Sequence, residues 1–218
     1  MISRCKAAIF DMDVTLLDSM RFWRLTALEY AIAHDLPLPK GDIHQTFKQS
    51  GRITLRKICE DAGVDPDDES VILETERRMV KYYENDVHMK PGVPALLEAL
   101  AKRGIPCAVA TATPREVAKM ALEKHGLLKY FQFVTDGYEV GCGKSDPEFF
   151  RIVAARLGME AQDCWMFEDA AYAIKGAKAA GMKVCAIEDW TAEPVEEIIS
   201  LSDVYVRDFA EIVPQLEG

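Results

Sequence analysis

The amino-acid sequence predicts an α/β fold: a doubly wound parallel sheet with a small all-helical module inserted after its first strand. Three observations carry this reading. Ala7-Ala8-Ile9-Phe10 is a short apolar run that ends abruptly in Asp11-Met12-Asp13, the form of a buried parallel strand presenting acids at its carboxyl end. Residues 20–85 show helical spacing without a strand-like run. From Lys90-Pro91-Gly92 onward, strands and helices alternate over short connections, as in a parallel sheet covered on both faces.

The first strand is expected over residues 6–10. In the inserted module one helical face is set by Phe22, Leu25, Leu28 and Ile32, another by Leu55, Ile58, Cys59 and Ala62, and another by Val71, Leu73, Met79 and Tyr83. Pro37-Leu38-Pro39, Ser50-Gly51 and Gly63-Val64-Asp65-Pro66 separate the helices. Asp65, Asp67, Asp68 and Glu69 are read as helix-start acids rather than as a metal site. Residues 94–103 then form a helix closed by Gly104, and residues 105–110 a strand broken by Thr111-Ala112-Thr113. Thr113-Pro114-Arg115-Glu116 has the form of a capping box that opens a helix running to residue 124. A third strand is expected over residues 131–135 and a helix from Asp146-Pro147 to 157. A fourth strand over 165–167, a helix over 171–180 ended by Gly181 and a fifth strand over 183–187 follow. A helix over 193–201 and a short strand over 204–206 complete the chain.

Composition narrows the function. The 218 residues, 49% hydrophobic, suffice to bury a full core. A formal charge of −10 opposes a nucleic-acid footprint and leaves any small anionic ligand dependent on local Lys, Arg or metal. Six cysteines at 5, 59, 107, 142, 164 and 185 include no Cys-x-x-Cys pair, so reduced thiols and a cytoplasmic protein are expected. No apolar run reaches the length of a membrane span, and the N-terminus enters a strand without an export signal.

Four strand ends or adjoining turns carry polar groups with no packing role: Asp11 and Asp13, Thr111, Lys144, and Glu168-Asp169. If the first strand is central and the fourth lies beside it where strand order reverses, Asp11, Asp13 and Asp169 converge in one crevice. Carboxylates that close require a divalent cation, and oxygen ligands select a hard ion, most simply Mg²⁺. The implied ligand is a phosphate, with Lys144 offsetting surplus negative charge and Thr111 hydrogen-bonding a phosphoryl oxygen. Two other chemistries fail on spacing. Gly143-Lys144-Ser145 lacks the glycine a P-loop needs at position 138, which is Tyr138. The histidines at 34, 44, 88 and 125 form no zinc ligand set.

With the motifs Asp11-Met12-Asp13-Val14-Thr15, a strand ending in Thr111, Gly143-Lys144-Ser145-Asp146-Pro147-Glu148, and Phe167-Glu168-Asp169 leading to Ala179-Ala180-Gly181-Met182, the chain resembles the haloacid dehalogenase superfamily. The likeness is to the branch of phosphatases and β-phosphoglucomutase-like proteins with a helical cap after the first strand. The resemblance implies a Rossmann-like core over residues 1–16 and 88–218 and a cap over 17–87. It implies a Mg²⁺-dependent phosphatase acting on a small phosphorylated metabolite through an aspartyl-phosphate. Asp11 is then the nucleophile and Asp13 the general acid and base, with Thr111 and Lys144 completing the catalytic set. Asp11, Asp169 and the carbonyl of Asp13 would hold Mg²⁺, with Glu168 as outer partner. The cap would act as a lid. Thr15, Ala112, Trp23, Lys48 and Arg52 are the expected substrate contacts. A monomer or homodimer is expected. Sugar phosphates, phosphoglycolate, nucleoside monophosphates and a cofactor phosphate are all candidate substrates.

Departures from the family pattern leave alternatives. Val14 is β-branched where glycine is usual, Ala170 stands where serine is frequent and Ala173 where glycine is. A catalytically weak binding or regulatory relative therefore stays open. A sugar-phosphate mutase is the other alternative, opposed by Trp23 where that likeness wants histidine and by Thr15, which fits the phosphatase form. A dehalogenase has no use for Asp13 or for the metal site, and a phosphonate hydrolase would want a cap lysine that the sequence does not single out.

Overall fold

The structure, a computed structural model, describes residue 2 and residues 5–39, 50–189 and 195–217. The described residues divide into two compact units, one reaching to Leu17 and resuming at Met89, the other running from Asp18 to His88.

The first unit is built on six strands: β1 (Ala7–Phe10), β2 (Cys107–Thr111), β3 (Val134–Asp136), β4 (Cys164–Glu168), β5 (Lys183–Ile187) and β6 (Val204–Val206). They lie in the order β3-β2-β1-β4-β5-β6, and every neighbouring pair is parallel. β1 and β4 are buried along their whole length, as strands in a sheet covered on both faces must be. The chain leaves β1 toward β2 on one side and β4 toward β5 on the other, so the carboxyl ends of β1 and β4 flank the crevice where strand order reverses. Aromatic packing holds these two strands in register. Phe10 stacks on its cross-strand partner Phe167 with ring centroids 4.3 Å apart, and Phe131 and Phe209 meet this pair edge-on. Such contacts add about 0.5–1.5 kcal/mol each beyond the area they bury.

The second unit contains α1 (Met20–Ala33), α2 (Gly51–Ala62) and α3 (Glu69–Asn85); the helix expected between α1 and α2 falls outside the described residues. Asp68 caps α3 by accepting from the Ser70 amide, consistent with reading that acidic stretch as a helix start. The buried face of α1 differs from the one expected. Phe22, Ala27, Tyr30 and Ala31 are buried, whereas Ile32 is 65% exposed. The reason is the small residues: Ala27 and Ala31 pack with Ile58 of α2, and a Cβ at Gly51 would collide with the backbone of Trp23. The two helices therefore meet along a small-residue stripe that a pattern of large apolar residues misplaces. In α3 the buried residues are Val71, Thr75, Met79 and Tyr83, with Leu73 turned outward.

Flanking the sheet are α4 (Val93–Lys102), α5 (Arg115–Lys124), α6 (Gly137–Val140), α7 (Pro147–Arg156), α8 (Ala171–Ala179), α9 (Val195–Leu201) and α10 (Pro214–Glu217). α7 starts as expected, with Asp146 accepting from the Glu148 amide and Pro147 at the first turn. Two local expectations fail. The third strand is Val134–Asp136 rather than 131–135, because Leu128–Tyr130 forms a 3-10 turn. The capping box at Thr113 does not form: Pro114 is the N-cap residue of α5 without a side-chain cap, and the Arg115 amide donates to Asp136 Oδ2 at 2.7 Å. Asp136 also caps α6, a turn of helix the sequence pattern did not indicate. Among the described residues, no helix is long and apolar enough to cross a membrane.

Candidate active site

The loop after β1 is built to hold two carboxylates in fixed places. The Asp11 amide donates to Phe167 O of β4, and the Leu16 and Leu17 amides both donate to Met12 O, each at 2.9 Å. Between them Val14 takes a left-handed conformation, φ +66°, its amide donating to Leu17 O at 2.6 Å. Thr15 is fully buried, and its hydroxyl donates to Asp169 Oδ1 at 3.1 Å. Thr15, expected among the substrate contacts, is turned into the protein by the loop and bonded to the acid that follows β4.

Three buried acids meet at the crevice. One carboxylate oxygen each of Asp11, Glu168 and Asp169 lies within 4.8 Å of the other two. Lys144 Nζ donates to Asp11 Oδ1 at 2.5 Å and to Glu168 Oε1 and Oε2 at 3.2 and 3.3 Å. All four side chains are almost sealed from solvent, so their charges act on one another with little screening. Burial pushes Asp11 up, Lys144 opposes it, and the carboxyl settles at about 6. Glu168 and Asp169 are held well above the ordinary carboxylate range, by burial first and then by the neighbouring acids. Burial alone would depress Lys144, but Asp11 and Glu168 outweigh it and keep the ammonium charged. Once ionised, three carboxylates against one ammonium carry excess negative charge, and such a donor set, oxygen-only and clustered, fits a hard divalent cation.

The second motif lies on the turn after β2. Thr111 and Thr113 are buried and Ala112 between them is exposed. The Thr113 amide donates to Thr111 Oγ1 at 3.1 Å, and the Thr113 hydroxyl donates to Asp13 Oδ2 at 2.7 Å. Asp13 therefore sits beside the second motif, while its carboxylate is not a member of the three-acid cluster. In the helical unit, Arg52 is exposed on α2 and 3.9 Å from Asp67, and Trp23 is half-buried on α1. Lys48 lies outside the described residues.

Three further residues at the site are not marked by the sequence pattern. Thr113 has the sequence context of a helix cap. Asp189 is buried just beyond β5, and its charge helps hold Asp169 up; an acid following a fifth strand was the available signal. Gly176 of α8 faces the carbonyl of Lys144 so closely that a Cβ there would overlap it. A glycine inside a helix was the only hint.

The family model for the haloacid dehalogenase-like hydrolases matches residues 5–181. A phosphoglycolate phosphatase of Rhodospirillum rubrum is 31% identical over 218 residues, covering 95% of this chain and 89% of its own length. The fructose-1-phosphate phosphatase YqaB of Escherichia coli is 30% identical, covering 84% of this chain and 96% of its own. In fold, the crystal structure of CbbY from Rhodobacter sphaeroides in complex with phosphate is similar at a TM-score of 0.80 and 20% identity, over 95% of this chain and 96% of that one. With the family model spanning most of the sequence and the doubly wound sheet in place, the chain belongs to the haloacid dehalogenase-like hydrolases.

Proposed function

We propose that this hydrolase is a Mg²⁺-dependent phosphatase that cleaves a small phosphorylated metabolite through an aspartyl-phosphate. The observation that carries the reading is the buried cluster of Asp11, Glu168 and Asp169 joined by Lys144 at the carboxyl ends of β1 and β4. Asp11, Asp169 and the Asp13 carbonyl would hold the cation, with Glu168 as outer partner. When bound, Mg²⁺ neutralises charge on the phosphoryl group and orients it.

The chain's own residues do the rest. At about 6 the Asp11 carboxyl is ionised at neutral pH, so it attacks phosphorus while the bond to the ester oxygen breaks and Asp13 protonates that oxygen. Water then attacks the aspartyl-phosphate, Asp13 takes a proton from it, phosphate leaves and Asp11 is regenerated. Thr111 accepts from the Thr113 amide, which leaves its own hydroxyl proton to donate to a phosphoryl oxygen. Lys144 keeps Asp11 ionised in a dry site. Ala112, exposed on the same turn, offers its backbone to the phosphoryl group.

The relatives' names, a phosphoglycolate phosphatase and a fructose-1-phosphate phosphatase, support small organic phosphates as the substrate class. Hydrolysis rather than mutase transfer is supported by Trp23 where that likeness wants histidine. Substrate selection by Trp23, Arg52 and Lys48, with the helical unit as a lid, rests on the resemblance alone. The free thiols support a reducing, cytoplasmic setting.

The test is release of p-nitrophenol from p-nitrophenyl phosphate, followed by a screen of phosphorylated metabolites. The expected result is turnover that requires Mg²⁺ and drops by at least about 10³-fold in Asp11→Asn, as loss of a nucleophile demands. A wild-type protein inert toward every ester in the presence of Mg²⁺ overturns the reading in favour of a binding relative.

A further inference from the structure

A carboxyl that gives up a proton in one half-reaction and takes one in the next must be held in the same place in both protonation states. An amide N–H or an ammonium cannot do this evenly, because each favours the ionised form. A hydroxyl can: it donates to a carboxylate and accepts from a carboxylic acid.

The Asp13 carboxyl has such a partner. Thr113 Oγ1 lies 2.7 Å from Asp13 Oδ2, bridging the loop after β1 and the turn after β2 across 100 residues of sequence. Thr113 is 5% exposed. Its amide is fixed on Thr111 Oγ1 at 3.1 Å, and its β-branched side chain has few rotamers. The helix-capping work that its position in the sequence suggests is done elsewhere: the first amide of α5 donates to Asp136 Oδ2, and the N-cap residue Pro114 has no side-chain cap. The Thr113 hydroxyl is thereby committed to Asp13.

We propose that Thr113 is the positioning residue of the acid/base, its hydroxyl holding the Asp13 carboxyl in its working orientation through both half-reactions. The inference rests on the phosphatase reading above. In the first half the ester P–O bond breaks as the Asp11–phosphorus bond forms, and the Asp13 proton goes to the leaving oxygen. In the second a water oxygen bonds to phosphorus, the Asp11–phosphorus bond breaks, and the water proton returns to Asp13. Thr113 transfers nothing; it fixes the group that does.

The experiment compares p-nitrophenyl phosphate with phenyl phosphate, two esters of similar shape whose leaving groups differ in their need for a proton. kcat/KM reports the steps through departure of the alcohol, so it isolates the acid role of Asp13. In Thr113→Val, kcat/KM on phenyl phosphate is expected to fall about tenfold or more, the scale of a misplaced catalytic group. On p-nitrophenyl phosphate it stays within about twofold, since nitrophenolate leaves unaided. Where hydrolysis of the aspartyl-phosphate limits turnover, loss of the base role lowers kcat and KM together on both esters, and Thr113→Ser restores both kcat and the phenyl phosphate kcat/KM. Thr113→Ala, which removes the hydroxyl without a new branch, reproduces the valine pattern, and thermal melts check that each variant is folded. Equal losses of kcat/KM on both esters, or a serine variant as impaired as the valine one, overturn the proposal while leaving the phosphatase reading intact. A wild-type protein inert on both esters overturns the phosphatase reading itself.

Discussion

Val14 shows how much one backbone torsion in the loop after β1 matters. A left-handed conformation costs an L-residue about 1–2 kcal/mol, and for a β-branched residue it is a true outlier. Here it is imposed at φ +66° on a side chain only 2% exposed, with its own amide tied to Leu17 O and the Leu16 and Leu17 amides tied to Met12 O. Strain of this kind persists where surrounding contacts over-determine the backbone. Alanine and glycine at this position separate strain from packing. Both lose the buried isopropyl group, but only glycine also loses the penalty on φ. Val14→Gly is therefore expected to be more stable than Val14→Ala by about 1 kcal/mol, reversing the usual order in which glycine costs about 0.5–1 kcal/mol relative to alanine. Urea denaturation of the two variants measures it. An alanine variant the more stable of the two means the loop relaxes to negative φ when the valine is removed. The position was legible in the sequence as a departure from the family's glycine, but the torsion was not, since nothing local states whether a loop yields or the residue does. Thr113 is illegible for a different reason. Thr-Pro-Arg-Glu satisfies every local rule for a capping box, and what defeats it is Asp136, 21 residues away, competing for the same amide.

At the scale of elements, the acids sit where they do because strands end on them and helices press the intervening turns into place. Gly176 is the sharpest case. α8 passes so close to the turn carrying Lys144 that a Cβ at Gly176 would overlap the Lys144 carbonyl and crowd the Phe150 ring. On helix propensity alone Gly176→Ala gains up to about 1 kcal/mol. The contact reverses that sign, because overlap with backbone cannot be relieved by a rotamer change. The variant is expected to melt at a lower temperature than wild type and to lose about tenfold or more in kcat, as Lys144 moves relative to Asp11. Melting curves and Mg²⁺-dependent turnover measure the two effects, and a variant both more stable and equally active rules the contact out as a determinant. The same scale explains which elements the pattern located. Strands buried on both faces are apolar runs bounded by glycine, proline or acids, so β1, β4 and β5 stand out. The faces of α1 and α2 do not, because their contact runs through Gly51, Ala27 and Ala31. Small residues permit close approach without raising the hydrophobic signal that periodicity depends on.

For the molecule as a whole, strand order decides function. Acids 157 and 158 residues beyond Asp11 reach it only because β1 pairs with β4. The sequence carried the condition for that meeting, a central first strand beside the fourth, and the sheet order β3-β2-β1-β4-β5-β6 meets it. The consequence is electrostatic and can be measured without turnover. Burial raises Asp11 from 3.8 to about 6 against the opposing pull of Lys144, and burial with the neighbouring acids holds Glu168 and Asp169 well above their ordinary values. In the unfolded chain these groups ionise near 4, so between there and about 6 the native state binds more protons than the unfolded one. Stability from these groups is then fully present below the unfolded pKa and is lost as pH rises through the folded values. Mg²⁺ binds the ionised carboxylates and competes with their protons, so it restores what ionisation removes. The increase in melting temperature on adding Mg²⁺ is expected to be small at pH 5 and larger at pH 8, to vanish on chelation, and to be lost in Asp169→Asn. Comparing each pH with and without the cation cancels the titration of the remaining surface of a protein with formal charge −10, and the Asp169 variant separates binding at the crevice from general screening. An increment equal at the two pH values, or one that survives in Asp169→Asn, places the cation somewhere other than among these three carboxylates.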